Sequence, residues 1–267
     1  MAWHFQIVVN NCAAAPLEAE HGLAVYCRHD DGRTFLFDTG AGNALLHNLQ
    51  ILQIPPEKIP AVILSHGHND HTGGISDFLS RAAFYCTPEI TSPHYSCHPG
   101  KAPRNLTIPE KAQCLLRTAT ICPVERVTEI SAGVWLTGAI PRISGEDTGG
   151  PFFTAAEGGK KDNIIDEQAL FFADGGTLLQ GCCHAGIINT INYCRTSIPD
   201  CRIDRIIGGL HLLNASREHL TETAKAIMEN GVKELYLLHC TGDRAVDFLR
   251  HNLSGTAVFT PSAGDFI

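Results

Sequence analysis

The chain is short of the groups that nucleic-acid binding requires. Its 20 Lys and Arg are outnumbered by 28 Asp and Glu, for a net charge of -8. Affinity for a phosphate backbone comes largely from counterions released by clustered basic residues, so no nucleic-acid partner is expected. Aromatic residues make up only 7% of the chain, too few for base-stacking platforms. No continuous apolar run reaches the roughly eighteen residues a spanning helix needs, and no membrane partner is expected. The N-terminus shows no basic segment leading into an apolar stretch and a small-residue cleavage site, which points to the cytoplasm. A disulfide framework is also missing. The eleven cysteines are odd in number and irregularly spaced, and fit a reducing compartment in which most are small buried hydrophobes.

What is present suits a compact domain. At 267 residues and 44% hydrophobic, the chain can bury a full core. One domain over residues 1–267 is expected, because motifs at both ends must meet at one site. Residues 5–9, 23–26 and 34–37 read as strands, the last two joined by the hairpin signal Asp30-Asp31-Gly32. Residues 43–52 read as a helix with Leu45, Leu46 and Leu49 on one face, stopping before Pro55-Pro56. A strand over 61–64 follows, then a histidine-rich loop and a helix over 75–81. Residues 87–165 form a variable insertion of proline, glycine and charge, with strand-like alternation within 124–140 and a long loop over 144–163. Beyond it, 169–172 and 177–179 read as a hairpin across Asp174-Gly175-Gly176. Strands over 203–207 and 234–238 flank a helix over 221–230. Strand, polar residue, helix, repeated, is the layout of sites at the carboxyl ends of strands in α/β sheets.

The chemistry concentrates in Ser65-His66-Gly67-His68-Asn69-Asp70-His71-Thr72-Gly73-Gly74, directly after Ala61-Val62-Ile63-Leu64. Three imidazoles and a carboxylate in six residues, on a turn at a strand end, are the donor set of a divalent metal. His66 and His68 can share one ion; Asp70 and His71, further round, can reach a second. Gly67 and Gly73-Gly74 relieve the backbone crowding that converging ligands create.

Histidine, any residue, histidine, any residue, aspartate, histidine, then Thr-Gly-Gly, resembles the signature of the metallo-beta-lactamase superfamily. Three further blocks extend the likeness: Gly181-Cys182-Cys183-His184-Ala185-Gly186, Ile207-Gly208-Gly209-Leu210-His211-Leu212 and Leu238-His239-Cys240-Thr241-Gly242. With the upstream Phe37-Asp38-Thr39-Gly40, they resemble the branch that includes 7,8-dihydropterin-6-methyl-4-(ribofuranosyl)aminobenzene-5'-phosphate synthase and predicted metal-dependent hydrolases. The likeness runs from about residue 5 to residue 260. It implies an α/β fold, the four-layer αβ/βα sandwich, with two divalent metal ions, zinc foremost and manganese or iron as alternatives. It implies that Asp38 buttresses the site, that His184 joins His66 and His68 on one metal, and that His239 joins Asp70 and His71 on the other. Asp70 is also the usual holder and acceptor of a proton from attacking water. This chain departs from the branch in reading Cys183 where serine is usual, and the superfamily's bridging aspartate has no clear match.

Other residues keep two readings each. His211 is a proton donor, a residue that fixes a neighbouring imidazole's tautomer, or a ligand. Cys182 is a thiolate ligand of the second metal or a buried thiol. His94 and His98, in the insertion, are solvated or touch substrate; His4, His21, His29, His47, His219 and His251 fall in loops or on helix faces. Lys101, Arg104, Lys111, Lys160 and Lys161 are solvated or meet an anionic substrate arm. The expected function is a metal-dependent hydrolase acting on a small phosphorylated or pterin-like molecule. The alternatives are a transferase joining a pterin diphosphate to an aminobenzene ribofuranosyl phosphate, and a redox iron protein on the same scaffold.

Overall fold

In a computed structural model, residues 2–77, 82–146 and 149–267 are described. The strands among them are β1 (Trp3–Val9), β2 (Ala24–His29), β3 (Thr34–Phe37), β4 (Ala61–Ile63), β5 (Ala83–Cys86), β6 (Tyr95–Ser96), β7 (Arg104–Asn105) and β8 (Thr120–Pro123). There follow β9 (Thr128–Ser131), β10 (Val134–Leu136), β11 (Phe152–Phe153), β12 (Ala169–Phe172), β13 (Thr177–Gln180), β14 (Arg205–Gly208), β15 (Glu234–Leu237) and β16 (Ala257–Phe259). The helices are α1 (Leu45–Ile51), α2 (Asn69–Thr72), α3 (Glu110–Leu116), α4 (Ile187–Ser197), α5 (Arg217–Glu229) and α6 (Asp243–Asn252). None of the described helices is long and apolar enough to cross a membrane.

The chain divides into two compact units. The first takes Met1–Glu125, Pro151–Asp162 and Ser262–Ile267; the second takes Arg126–Gly150 and Asn163–Pro261. The first unit is built on a six-stranded sheet in the order β1-β2-β3-β4-β5-β8, antiparallel through β3 and parallel from β3 to β8. Its core includes Leu36, Val62, Leu64, Leu45, Leu49 and Phe84. β4 is buried along its whole length, as a parallel strand covered on both faces must be. The second unit is built on a seven-stranded sheet, β16-β15-β14-β13-β12-β10-β9, parallel from β13 to β16. Its own core gathers Phe171, Leu178, Ile206, Leu235, Ile191, Ile227 and Leu249.

The expected strands recur within one to three residues, the largest difference being β2, which runs to His29 rather than 26, and β3 and β12 match in full. The differences have local causes. α5 starts at Arg217 rather than 221, because Ser216 accepts a hydrogen bond from the His219 N–H and caps the first turn. The helix expected over 75–81 begins instead as a 3-10 turn over Gly73–Asp77, and residues 78–81 lie outside those described. The 87–165 insertion holds more order than its composition suggests. Within it, α3 and β8 complete the first unit, and β11, β6 and β7 make a separate three-stranded sheet. His4 and His29 sit in strands rather than loops.

Candidate metal centre

Each unit gathers polar residues at the carboxyl ends of adjacent parallel strands, the position at which α/β sheets leave a crevice for ligands. In the first unit, β3 ends at Asp38 and β4 runs into Ser65 and the histidine loop. Asp38 is fully buried and holds a left-handed backbone with φ of 56°, a strained conformation for a residue other than glycine. Its Oδ1 accepts from the Ser65 N–H at 2.7 Å and its Oδ2 from the Ser65 hydroxyl at 2.7 Å. The same Oδ2 lies 2.7 Å from His71 Nδ1, and Ser65 Oγ lies 2.8 Å from His66 Nδ1. Because the serine hydroxyl donates to Asp38, it can only accept from His66. Both imidazoles are thereby protonated at Nδ1 and keep their lone pair at Nε2, the form that binds a metal.

The rings converge. His66 lies 4.5 Å from His68 and 4.3 Å from His71 between centroids, and all three are buried. His68 is the residue before α2, and the Thr72 hydroxyl donates to its carbonyl at 2.8 Å. Asp70, on the same helix, is partly exposed, with Oδ2 at 3.2 Å from His21 Nε2. Gly73 and Gly74 allow this loop to lie against the turn after β3: a Cβ would stand 2.1 Å from the Ala41 carbonyl oxygen at Gly73 and 2.4 Å from that of Thr39 at Gly74.

In the second unit, β13 leads to Cys182-Cys183-His184, β14 to His211 and β15 to His239. Cys183, His211 and His239 all hold positive φ, at 61°, 47° and 47°. His184 is fully buried, and its ring lies 4.5 Å from that of His211. Its backbone is clamped by Glu167, which accepts from the His184 N–H at 2.6 Å and the Ala185 N–H at 2.5 Å, while Arg142 donates to the His184 carbonyl. Burial pushes the Glu167 carboxyl up to about 7, against the pull of Arg142 and the two amides. Desolvation also drives the Cys183 thiol upward, which suits a core thiol. The Cys182 and Cys240 sulfurs and a His239 ring nitrogen lie within 4.8 Å of one another, a set able to hold a metal ion. Gly209 makes this possible: a Cβ there would stand 2.4 Å from Cys240 Sγ. Gly149 packs on His211, with a Cβ position 2.0 Å from its Nδ1.

The first unit thus brings together His66, His68 and His71, with Asp70 one step away on the same loop. The second brings His184 to His211 and Cys182 to His239. Sequence reasoning passed over Ser65, Glu167 and Cys240; the first and last lie inside quoted motifs, but Glu167 carries no local signal. Of the two insertion histidines read as solvated or touching substrate, His94 is 1% exposed, which removes the solvated reading, whereas His98 is exposed. Lys101, Arg104, Lys111, Lys160 and Lys161 are all exposed.

Parallel strands ending in imidazoles, carboxylates and thiols define a class of α/β metal-site proteins. The family profile described as Metallo-beta-lactamase superfamily matches residues 19–101. The fold matches Tm1679, a metal-dependent hydrolase of the beta-lactamase superfamily, with a TM-score of 0.85 and 30% identity, covering 99% of this chain and 98% of that one. The chain belongs to the metallo-beta-lactamase superfamily. It is 27% identical to 7,8-dihydropterin-6-methyl-4-(beta-D-ribofuranosyl)-aminobenzene-5'-phosphate synthase of Methanocaldococcus jannaschii, over 86% of this chain and 84% of the relative. The fold is shared too with Zn(2+)-bound PqqB from Methylobacterium extorquens, at a TM-score of 0.57 and 13% identity over 99% of each chain.

Proposed function

We propose that the chain is a metal-dependent hydrolase acting on a small anionic molecule, phosphorylated or pterin-like, with two divalent metals, zinc foremost. The observation that carries this reading is the Asp38–Ser65 hub. It spends a fully buried carboxylate on fixing His66 and His71 in the one tautomer that offers Nε2 to a metal. A loop with a merely structural role has no need of such a device. In this reading the first unit offers His66, His68, Asp70 and His71 as metal donors, and the second offers His184, His239 and the Cys182 thiolate. The donor types fit: imidazole, carboxylate and thiolate all suit zinc, and imidazole and carboxylate suit manganese and iron.

When bound, such metals supply a nucleophile active near neutral pH and polarise the oxygen on which charge develops. The residues do the rest. Asp38 and Glu167 hold the ligand backbones and rings in place before substrate arrives. Asp70 orients the attacking water, and His211 delivers a proton to the departing oxygen. A transferase reading, in which a pterin diphosphate loses pyrophosphate to an aromatic amine, draws on the name of the Methanocaldococcus relative. In either case the reading takes a small molecule as the partner, and the excess of Asp and Glu over Lys and Arg argues against nucleic acid. The eleven thiols favour the cytoplasm.

Elemental mass spectrometry of protein purified without chelator, with the visible spectrum of the same sample, tests the metal reading. Two zinc or manganese per chain without visible bands supports it; iron with charge-transfer absorption replaces it with redox chemistry. A panel of phosphoesters, lactones and pterin diphosphates then separates hydrolase from transferase.

A further inference from the structure

Beside His71–Asp38, the first unit holds a second histidine–carboxylate pair with both partners buried, and the metal reading does not use it. His94 and Asp162 are 68 residues apart in sequence, yet Nδ1 and Oδ2 lie 2.5 Å apart. Both residues are buried, at 1% and 5% exposure. The small insertion sheet holds them rigidly. The His94 N–H donates to Thr107 Oγ1 at 2.9 Å, and the Leu106 N–H donates to the His94 carbonyl at 2.8 Å. The Asp162 N–H donates to the Phe152 carbonyl at 2.9 Å on β11. The same insertion grips the histidine loop: His68 forms a bridge with Thr107, and the Asn69 N–H donates to the Leu106 carbonyl at 2.7 Å. The His94 ring consequently stands edge-on to His68 at 5.1 Å between centroids, with Phe152 at 5.4 Å from His68.

A buried carboxylate this close keeps the imidazole proton on Nδ1 and turns Nε2 into an acceptor. A base oriented by a third group is the arrangement that activates a nucleophile, and the nucleophile is whatever meets the other ring nitrogen. We propose that His94, positioned by Asp162, accepts the hydrogen bond and then the proton of the attacking X–H group, which is water or the amine or hydroxyl of a second substrate. This rests on the metal-dependent reading above and assigns proton removal to His94, leaving Asp70 to orient. As X bonds to the electrophilic phosphorus or carbon, its proton passes to His94 Nε2. The electron pair of the breaking P–O or C–O bond leaves on the departing oxygen, and Asp162 faces the imidazolium that results.

The test uses the full chain, zinc-loaded and labelled with 15N in histidine, beside His94→Gln and Asp162→Asn. We expect one histidine, absent from the spectrum of His94→Gln, to be protonated at Nδ1 and to carry its lone pair at Nε2 without metal coordination. Asp162→Asn should move that histidine toward the Nε2–H tautomer. Zinc content and melting temperature should match the parent in at least the Asp162 variant, while hydrolysis of bis(p-nitrophenyl) phosphate falls about a hundredfold in both. Adding methanol separates the nucleophiles: a methyl ester product that disappears in His94→Gln marks an acceptor hydroxyl, whereas loss of hydrolysis alone marks water. The proposal is overturned by an Nε2-protonated or metal-bound His94 in the parent, by loss of one zinc in His94→Gln, or by unchanged rates in both variants. A parent that binds no zinc defeats the metal reading instead, and the tautomer in that same spectrum still decides for or against the dyad.

Discussion

The two units supply metal-binding groups by opposite means. In the first, one loop of six residues carries His66, His68, Asp70 and His71, and a single carboxylate, Asp38, orients two of the rings through Ser65 and directly. In the second, the groups arrive one at a time from β13, β14 and β15, with positive φ at Cys183, His211 and His239, whereas in the first it is the buttress Asp38, not a donor of the loop, that holds one. Concentrating donors on one loop places the closest backbone approaches at Gly73 and Gly74 within that loop, whereas distributing them over three strands places left-handed residues at the strand exits that carry them. The first scheme leaves a dense motif in sequence; the second leaves three sparse ones.

Four measurements would break or sharpen this contrast. The largest effect is expected for His68→Ala, which removes a central ring of the concentrated set. Metal content measured by elemental analysis should fall by at least one ion, and turnover should vanish; retained activity would dissolve the distinction between the units. Next come paired glycine variants. At Gly73 a methyl group would stand 2.1 Å from the Ala41 backbone carbonyl oxygen, which cannot yield, whereas at Gly209 its nearest neighbour is the Cys240 thiol at 2.4 Å, which can rotate, and the backbone contact, with the Gly181 carbonyl oxygen at 2.9 Å, is less severe. Gly73→Ala should cost about 3 kcal/mol and Gly209→Ala about 1 kcal/mol in denaturant titrations, within the range for overpacking. Equal losses would mean that the second unit is as tightly built as the first.

Glu167→Gln should follow. One of the two amide donors at His184 and Ala185 would face an amide NH2 instead of an oxygen, for a loss of about 1–3 kcal/mol by thermal melt. Metal affinity should fall with it, by tenfold or more, since supports of a ligand count nearly as much as the ligand. A lower melting temperature with unchanged affinity would make Glu167 a purely structural clamp. The smallest effect belongs to Asp204, whose carboxyl the Arg202 guanidinium and Lys233 hold below its usual value. These two ion pairs lie at the surface, so solvent screening keeps their contribution small. Since the folded-state pKa is lowered, its stabilisation is present above the unfolded value near 3.8 and fades as pH falls through the folded one. Asp204→Asn should therefore flatten the acid limb of a melt-versus-pH curve slightly while leaving metal content alone.

Legibility followed the same divide. β3 and β12 were readable to the residue because alternation and turn signals are local. The histidine loop was readable because its donor groups are adjacent. α5 was misplaced at its start because the cap at Ser216 outweighed the apolar periodicity. The insertion was read as largely irregular because strands of two residues, such as β6, β7 and β11, are too short for any pattern to register. The two readings of His94 stay open in sequence for the same reason: a histidine in a polar segment looks solvated until the strands around it are known.

By itself, then, the sequence determined the donor set of the first unit, the glycines that admit it and the strand endings that carry His184, His211 and His239. These depend on neighbours within a few residues, where geometry follows from chain connectivity. Tertiary structure alone decided that Asp162 faces His94 across 68 residues, that Glu167 clamps His184 across 17, and that Cys240 joins Cys182 across 58. Such pairings arise from strand order and register, and a buried carboxylate or thiol selected by a distant partner leaves no periodic trace in the chain around it.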